Sequence, residues 1–159
     1  MALVDLHLHT TASDGRLSPT QLVTLLAKQG LQIAAITDHD STEGLAEAFS
    51  AAESFPNLTI IPGIELSCDL PGNEIHVLGY FIQYDDVQFQ GILTNFRQGR
   101  KKRAQKMVQK LDELGVKIEW ERVQELAGDG AVGRPHIAQA MVEKGYIKVP
   151  QEAFVTYLG

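Results

Sequence analysis

The chain has 159 residues, of which 44% are hydrophobic, which suffices for one domain with a buried core. No apolar run reaches the length of a membrane span, and the opening residues lack the basic region of a signal peptide. We therefore expect a cytoplasmic protein without membrane association, and the single cysteine, Cys68, excludes an internal disulfide.

The net charge of −6 is unevenly distributed along the chain. Residues 1–96 contain twelve acidic and only two basic residues, together with four of the five histidines. Residues 97–159 contain twelve basic and eight acidic residues. Because a nearby Lys or Arg would compete with a bound cation, this segregation favours a divalent-metal site in the first half of the chain.

The first predicted element is a strand over residues 3–9, where apolar and polar residues alternate with period two. This alternation places Asp5, His7 and His9 on one face, with the two imidazoles roughly 7 Å apart. Asp14 follows in a Ser-Asp-Gly turn. Two histidines beside a carboxylate favour a site with nitrogen and oxygen ligands, and a core strand with two hydrogen-bonded histidines is the alternative.

The next two elements read as a capped helix and a buried strand. Ser18 at N-cap and Pro19 at the first helical position predict a helix start, and Gly30 predicts its end. The short apolar run over residues 33–37 predicts a strand buried on both faces of a parallel sheet, and it leads into His39.

A second helix is predicted to open at Ser41-Thr42-Glu43. A strand over residues 58–63 runs on to Ser67, and another over residues 74–80 follows a turn at Pro71-Gly72. This order is typical of a parallel α/β barrel or open sheet, in which sites form at the carboxyl ends of the strands.

From residue 85 the sequence is predicted to be helical. Residues 86–114 form one long helix, or two with a break near Gly99, and shorter helices start near residues 120, 133 and 150. Seven of the fourteen basic residues lie between Arg97 and Lys110. This run is either a solvated helix face or a surface that attracts phosphate or nucleic acid.

Six candidate metal ligands sit at or just beyond the ends of predicted strands, so an aligned sheet would bring them to one rim. They are His7, His9, Asp14, His39, Glu65 and His76. This number of ligands implies two or three divalent ions, and imidazole with carboxylate suits Mn²⁺ best, with Fe²⁺, Zn²⁺ or Mg²⁺ as alternatives. Glu65 is the candidate bridge between ions that share a nucleophilic hydroxide.

The arrangement resembles the PHP (polymerase and histidinol phosphatase) superfamily. The motifs that carry the resemblance are His7-Leu8-His9, Ser13-Asp14-Gly15, Thr37-Asp38-His39-Asp40, Pro62-Gly63-Ile64-Glu65 and Ile75-His76-Val77-Leu78-Gly79-Tyr80. Gly133-Arg134-Pro135-His136 and Glu152-Ala153-Phe154 are similar to the TrpH-like branch, which contains nucleoside 3′,5′-bisphosphate phosphatases and 5′-to-3′ exoribonucleases.

The resemblance implies an α/β fold, namely the N-terminal part of a distorted (β/α)7 TIM-like barrel with a helical insertion and a trinuclear metal centre. Residues 1–84 would form the barrel strands and helices with the metal ligands, residues 85–145 the insertion, and residues 146–159 the return to the barrel. The six ligands above match the family's metal ligands. Arg134 and His136 match the positions from which the insertion contacts substrate phosphate.

The resemblance stops short at the end of the sequence. Family members continue well beyond this length and supply a later His and an Asp-x-His motif, whereas no histidine follows His136 here. We therefore expect a fragment whose barrel and metal site are incomplete. A sheet edge would then be exposed or covered by another copy.

The sequence thus predicts a metal-dependent phosphoesterase that uses Glu65, His9 and Asp14 in catalysis. The resemblance implies as substrates phosphate monoesters of nucleotides, such as nucleoside 3′,5′-bisphosphates, or RNA 5′ ends. A histidinol phosphatase or a polymerase-associated exonuclease is the alternative enzyme. A non-catalytic metal-binding or nucleic-acid-binding module, supported by the basic run, is the alternative of another class.

Overall fold

A four-stranded mixed sheet organises the first half of the chain in the computed structural model, which describes residues 3–70, 73–128 and 130–158. The strands are β1 (Val4–Leu8), β2 (Ile33–Ile36), β3 (Thr59–Leu70) and β4 (Asn73–Tyr80), side by side in this order. The first three strands run parallel, as predicted, and β2 is the buried central one.

The fourth strand departs from the all-parallel pattern, because β4 pairs antiparallel with β3. The connection between them is too short for the crossover that a parallel pair requires. The turn predicted at Pro71-Gly72 lies outside the described residues.

β3 is long enough to pair with two neighbours in succession. Residues 59–62 pair with β2, and residues 63–70 pair with β4. Gly63 stands where the pairing changes, and a Cβ atom there would lie 2.7 Å from the Thr37 methyl group and 2.9 Å from the Ile36 carbonyl oxygen. Only glycine allows this close approach, which places the second half of β3 beside the end of β2.

Two helices pack on the sheet. α1 (Pro19–Lys28) begins with the predicted capping box at Ser18 and is followed by Gly30 at a φ of 78°. α2 (Leu45–Ala52) begins later than predicted, since the Ser41 hydroxyl accepts a hydrogen bond from the Glu43 amide in a local turn.

Four helices make up the second half of the chain: α3 (Val87–Glu113), α4 (Trp120–Ala127), α5 (Arg134–Glu143) and α6 (Pro150–Thr156). α3 passes Gly99 without a break, so the prediction of one long helix is confirmed. Among the residues that the structure describes, no helix combines the length and apolar character needed to cross a membrane.

Each half of the chain has its own hydrophobic cluster. One lies between the sheet and helices α1 and α2, with Val23, Ala34 and Ile36 fully buried. The other lies among helices α3, α4, α5 and α6, with Val123, Ile137 and Met141 fully buried. The division of the chain at residues 84 and 145 remains a prediction.

The two edges of the sheet expose apolar side chains. Val4 and Leu6 on β1 are 48% and 39% exposed, and Ile75 and Val77 on β4 are 44% and 48% exposed. These four residues belong to the two outer strands of the described sheet.

Candidate metal centre

The two histidines of β1 lie side by side on the same face, as the period-two pattern predicts. The ring centroids of His7 and His9 are 5.1 Å apart. Nε2 of His7 lies 2.7 Å from Oε2 of Glu65, and Nε2 of His9 lies 3.0 Å from the same oxygen. One carboxylate oxygen thus joins both imidazoles of the first strand.

His39 and Asp14 extend the cluster on the other side of His9. The ring centroids of His39 and His9 are 4.7 Å apart. Oxygens of Asp14 lie 3.5 Å from Nδ1 of His9 and 3.6 Å from Nε2 of His39, while Nδ1 of His39 lies 3.7 Å from Glu65 Oε2. The Ser-Asp-Gly turn therefore brings Asp14 between two imidazoles.

Glu65 and His76 reach the cluster from within strands, which corrects the prediction that every ligand lies at or beyond a strand end. Glu65 is in the middle of β3 and His76 in the middle of β4. Nδ1 of His76 lies 2.6 Å from Glu65 Oε1, and its ring centroid is 4.8 Å from that of His39. The antiparallel turn-back of β4 makes this contact possible, so mid-strand residues face the rim.

Glu65 occupies the centre of the group, with its side chain only 5% exposed. Burial raises the pKa of this carboxyl, but the hydrogen bond from His7 and the neighbouring imidazoles His39 and His76 outweigh burial and hold it below its usual value. The carboxylate is therefore ionised at neutral pH. Its two oxygens serve different imidazoles, Oε2 on the β1 side and Oε1 on the β4 side.

The side chains fit divalent metal ions by their donor atoms and by their protonation. Three triads each bring their ligand atoms within 4.8 Å of one another: His7, His9 and Glu65; His9, Asp14 and His39; and His39, Glu65 and His76. Burial lowers the pKa of His39 to about 4, so its ring is neutral, as a metal ligand must be. Its Nδ1 is buried without a hydrogen-bond partner in the described structure, although buried polar atoms are normally paired.

Asp38, beside His39, has a role that the sequence analysis missed. Its buried carboxylate accepts hydrogen bonds from the Thr10 amide at 2.7 Å, the Thr10 hydroxyl at 2.7 Å and the Ser13 hydroxyl at 2.6 Å. These bonds fix the loop that carries Asp14 against the end of β2. The Thr-Asp-His-Asp motif was the available signal, since a second carboxylate beside a ligand is a common orienting partner.

Asp40 and Arg100 form a second missed element. Asp40 has a positive φ of 49°, and its carboxylate accepts from the Ser67 amide at 2.9 Å and from Arg100 Nη1 at 3.0 Å. Arg100 also donates to the Ser67 hydroxyl and to the Val132 carbonyl. Arg100 thus belongs to the basic run but is buried, and it connects α3 to residues that neighbour the candidate metal ligands. The charge pattern alone does not distinguish Arg100 from its exposed neighbours.

The two residues predicted to bind substrate lie in different surroundings. His136 accepts a hydrogen bond from the Gly133 amide at 3.0 Å, and it shares a cavity of about 250 Å³ with Asp14. Burial lowers the pKa of its imidazole. The guanidinium of Arg134 donates to the Leu158 carbonyl and lies 5.9 Å from the Phe154 ring centroid, so it packs on α6.

Comparison with known proteins gives a consistent set of relatives. The chain is 37% identical over 155 residues to a 5′-3′ exoribonuclease of Haemophilus influenzae, covering 98% of this chain and 56% of that protein. It is 32% identical over 169 residues to a 3′,5′-nucleoside bisphosphate phosphatase of Chromobacterium violaceum, covering 99% of this chain and 55% of that protein. The chain thus spans about half the length of the curated relatives it matches.

Solved structures match the same extent of chain. A Chromobacterium violaceum amidohydrolase with bound sulfate and no metal superposes with a TM-score of 0.91 at 31% identity, over 99% of this chain and 56% of that one. A candidate metal-dependent phosphoesterase from Bifidobacterium adolescentis gives 0.90 at 31% identity over the same shares. The α/β architecture therefore corresponds to part of a TIM-like barrel. The PHP domain model matches residues 5–114, and the chain belongs to the PHP domain family.

Proposed function

We propose that the protein containing this chain is a metal-dependent phosphoesterase that acts on 5′-phosphorylated nucleotides or RNA. The observation that carries the proposal is the position of Glu65, whose two oxygens contact imidazoles from both sides of the cluster. A structural zinc site seldom places one carboxylate among four histidines, whereas a multinuclear hydrolytic centre needs such a bridge.

In this proposal His7, His9 and Glu65 would hold one ion and His39, Glu65 and His76 a second, so that Glu65 belongs to both ligand sets. Asp14 would complete the ligands on the side of His9 and His39. Mn²⁺ is the preferred ion, with Fe²⁺, Zn²⁺ and Mg²⁺ as alternatives for the same ligands. Bound divalent ions would lower the pKa of bound water toward about 7 and stabilise charge on phosphate oxygens. Glu65, His9 and Asp14 are the residues that would hold the ions for this chemistry.

His136 and Arg134 are proposed to orient the substrate. His136 shares a cavity with Asp14, so a phosphate at the metal centre would lie within reach of its ring. Arg134 begins the same helix and offers two parallel donors to a phosphate group. A nucleoside 3′,5′-bisphosphate resembles the first nucleotide of a 5′-phosphorylated RNA. Its 5′-phosphate corresponds to the RNA 5′-phosphate, and its 3′-phosphate corresponds to the phosphodiester that leads to the next nucleotide. One site could therefore hydrolyse both substrates.

The test is phosphate release from a nucleoside 3′,5′-bisphosphate by the full-length protein. We expect chelation to abolish turnover and added Mn²⁺ to restore it. His9→Ala should reduce kcat/KM by at least about 10²-fold. The reason is that it removes a proposed ligand of the ions that would stabilise charge on the phosphate oxygens.

A thermal unfolding curve for His9→Ala serves as the control for folding. Turnover that survives both chelation and His9→Ala would contradict the proposal. RNA binding that is salt-sensitive and unaffected by His9→Ala, without any hydrolysis by the wild type, would instead favour the nucleic-acid-binding module.

A further inference from the structure

One side of α3 carries a row of basic residues that the proposed catalytic site does not use. Arg103, Lys106 and Lys110 are spaced three and four residues apart, so they lie along one side of the helix, here termed the basic flank. The buried side of α3 consists of Leu93, Arg100, Ala104, Val108 and Leu111. The basic flank borders this side, and its residues Lys106 and Lys110 are exposed to solvent.

A cleft between β3 and α3 lies next to residues that neighbour the candidate metal ligands, and it reaches the basic flank at Arg103. Its volume is about 400 Å³, and its lining includes Ser67, Phe96, Arg100 and Arg103. Ser67 follows Glu65 by two residues, so both side chains leave the same face of β3 at roughly 7 Å from one another. Ser67 also pairs in register with His76. The cleft therefore opens directly beside the cluster.

The chemistry of the cleft suits a nucleotide better than an apolar ligand. Among the described residues that line the cleft, Asp40 is the acidic one, and its carboxylate is paired with the buried guanidinium of Arg100. Phe96 is 38% exposed on the α3 side, and an exposed aromatic ring offers a stacking surface to any base. Arg103, half-buried, lies where the cleft meets the basic flank.

Beyond the cleft the flank continues as exposed positive charge. Lys106 and Lys110 are exposed, and within the described ranges no ion pair joins either of them to a carboxylate. From Arg103 to Lys110 the helix rises about 10 Å, enough to follow more than one phosphate of a single strand. Asp112 and Glu113 then end the run of positive charge.

We propose that the cleft and the basic flank hold the downstream nucleotides of an RNA whose 5′ end is at the metal centre. This inference rests on the proposed function for the position of the 5′ end. A nucleoside bisphosphate, which has no downstream nucleotides, does not reach the flank. The flank thus distinguishes the two substrates by their length. It contributes to binding of the RNA and does not affect hydrolysis of the nucleoside bisphosphate.

The test uses the double variant Lys106→Gln/Lys110→Gln in the full-length protein, with a 5′-phosphorylated RNA of ten nucleotides as substrate. We expect KM for the RNA to rise about tenfold at low salt. The slope of log KM against log salt should fall by about 1.4, since each phosphate contact in a single strand contributes about 0.7. For a nucleoside 3′,5′-bisphosphate, kcat/KM should stay within about twofold of wild type because no flank contact is lost.

The matched control is Lys28→Gln/Lys148→Gln, which removes the same charge from exposed lysines outside α3. Fluorescence anisotropy with the same RNA in chelator measures binding without hydrolysis. Equal RNA affinity and equal salt slope in the two double variants would overturn the proposed path. If no variant or wild type hydrolyses either substrate but Lys106→Gln/Lys110→Gln alone weakens RNA binding, the proposed function fails and the RNA surface stands.

Discussion

Replacing Glu65 with glutamine is expected to reduce hydrolysis of a nucleoside 3′,5′-bisphosphate by at least about 10³-fold, at or beyond the upper end of what one charge-stabilising donor contributes. Both carboxylate oxygens contact imidazoles, Oε1 toward His76 and Oε2 toward His7 and His9. An amide is neutral and replaces one of these oxygens with a donor that cannot bind a cation. Metal content per chain, measured together with kcat/KM, should fall as well.

Two control variants distinguish the loss of a metal bridge from other effects of the Glu65 substitution. Glu53→Gln makes the same chemical change at an exposed position and should leave activity and metal content unchanged. Arg134→Ala removes a proposed substrate contact but no candidate metal ligand, so the loss of activity should be much smaller and metal content should be retained. If Glu65→Gln and Arg134→Ala cause similar losses, Glu65 does not bridge the ions.

The second large effect is expected on stability, from Asp38→Ala. The variant leaves three buried donors of Thr10 and Ser13 without their acceptor. At about 1 kcal/mol for each unmade hydrogen bond, the free energy of unfolding should fall by about 3 kcal/mol. Urea denaturation checks this value, and the released loop should also weaken metal binding through Asp14.

Asp38→Asn is the control for this variant. Its remaining oxygen can still accept from the Thr10 amide and the Ser13 hydroxyl, and its amide can donate to the Thr10 hydroxyl, so we expect a loss of only about 1 kcal/mol. Equal destabilisation by alanine and asparagine would mean that these hydrogen bonds do not fix the loop.

Local patterns were sufficient to predict the elements that depend on short-range contacts. The period-two alternation of β1 correctly placed His7 and His9 together, because adjacent side chains of one strand alternate by geometry alone. Ser18 and Gly30 likewise predicted both ends of α1, since a cap involves residues only a few positions apart. The convergence of His39, Glu65 and His76 was expected from the family motifs, whereas the argument from strand ends holds only for His39.

Features that depend on distant residues were not predicted. The antiparallel pairing of β4 follows from the short connection after β3, which the strand pattern alone did not resolve. The ion pair between Asp40 and Arg100 joins residues sixty positions apart, and the sequence showed Arg100 only as a member of a basic run. The hydrogen bonds of Asp38 were not predicted because its partners, Thr10 and Ser13, are separated from it in the sequence by α1 and β2.

Anomalous diffraction from crystals of the full-length protein grown with Mn²⁺ would test most directly whether these side chains bind metal. We expect at least two peaks, each at roughly 2.0–2.3 Å from imidazole nitrogens and carboxylate oxygens of the cluster, with Glu65 contacting more than one of them. An occupied peak elsewhere, with none between His9, His39, Glu65 and His76, would contradict the assignment of this cluster as a catalytic metal centre.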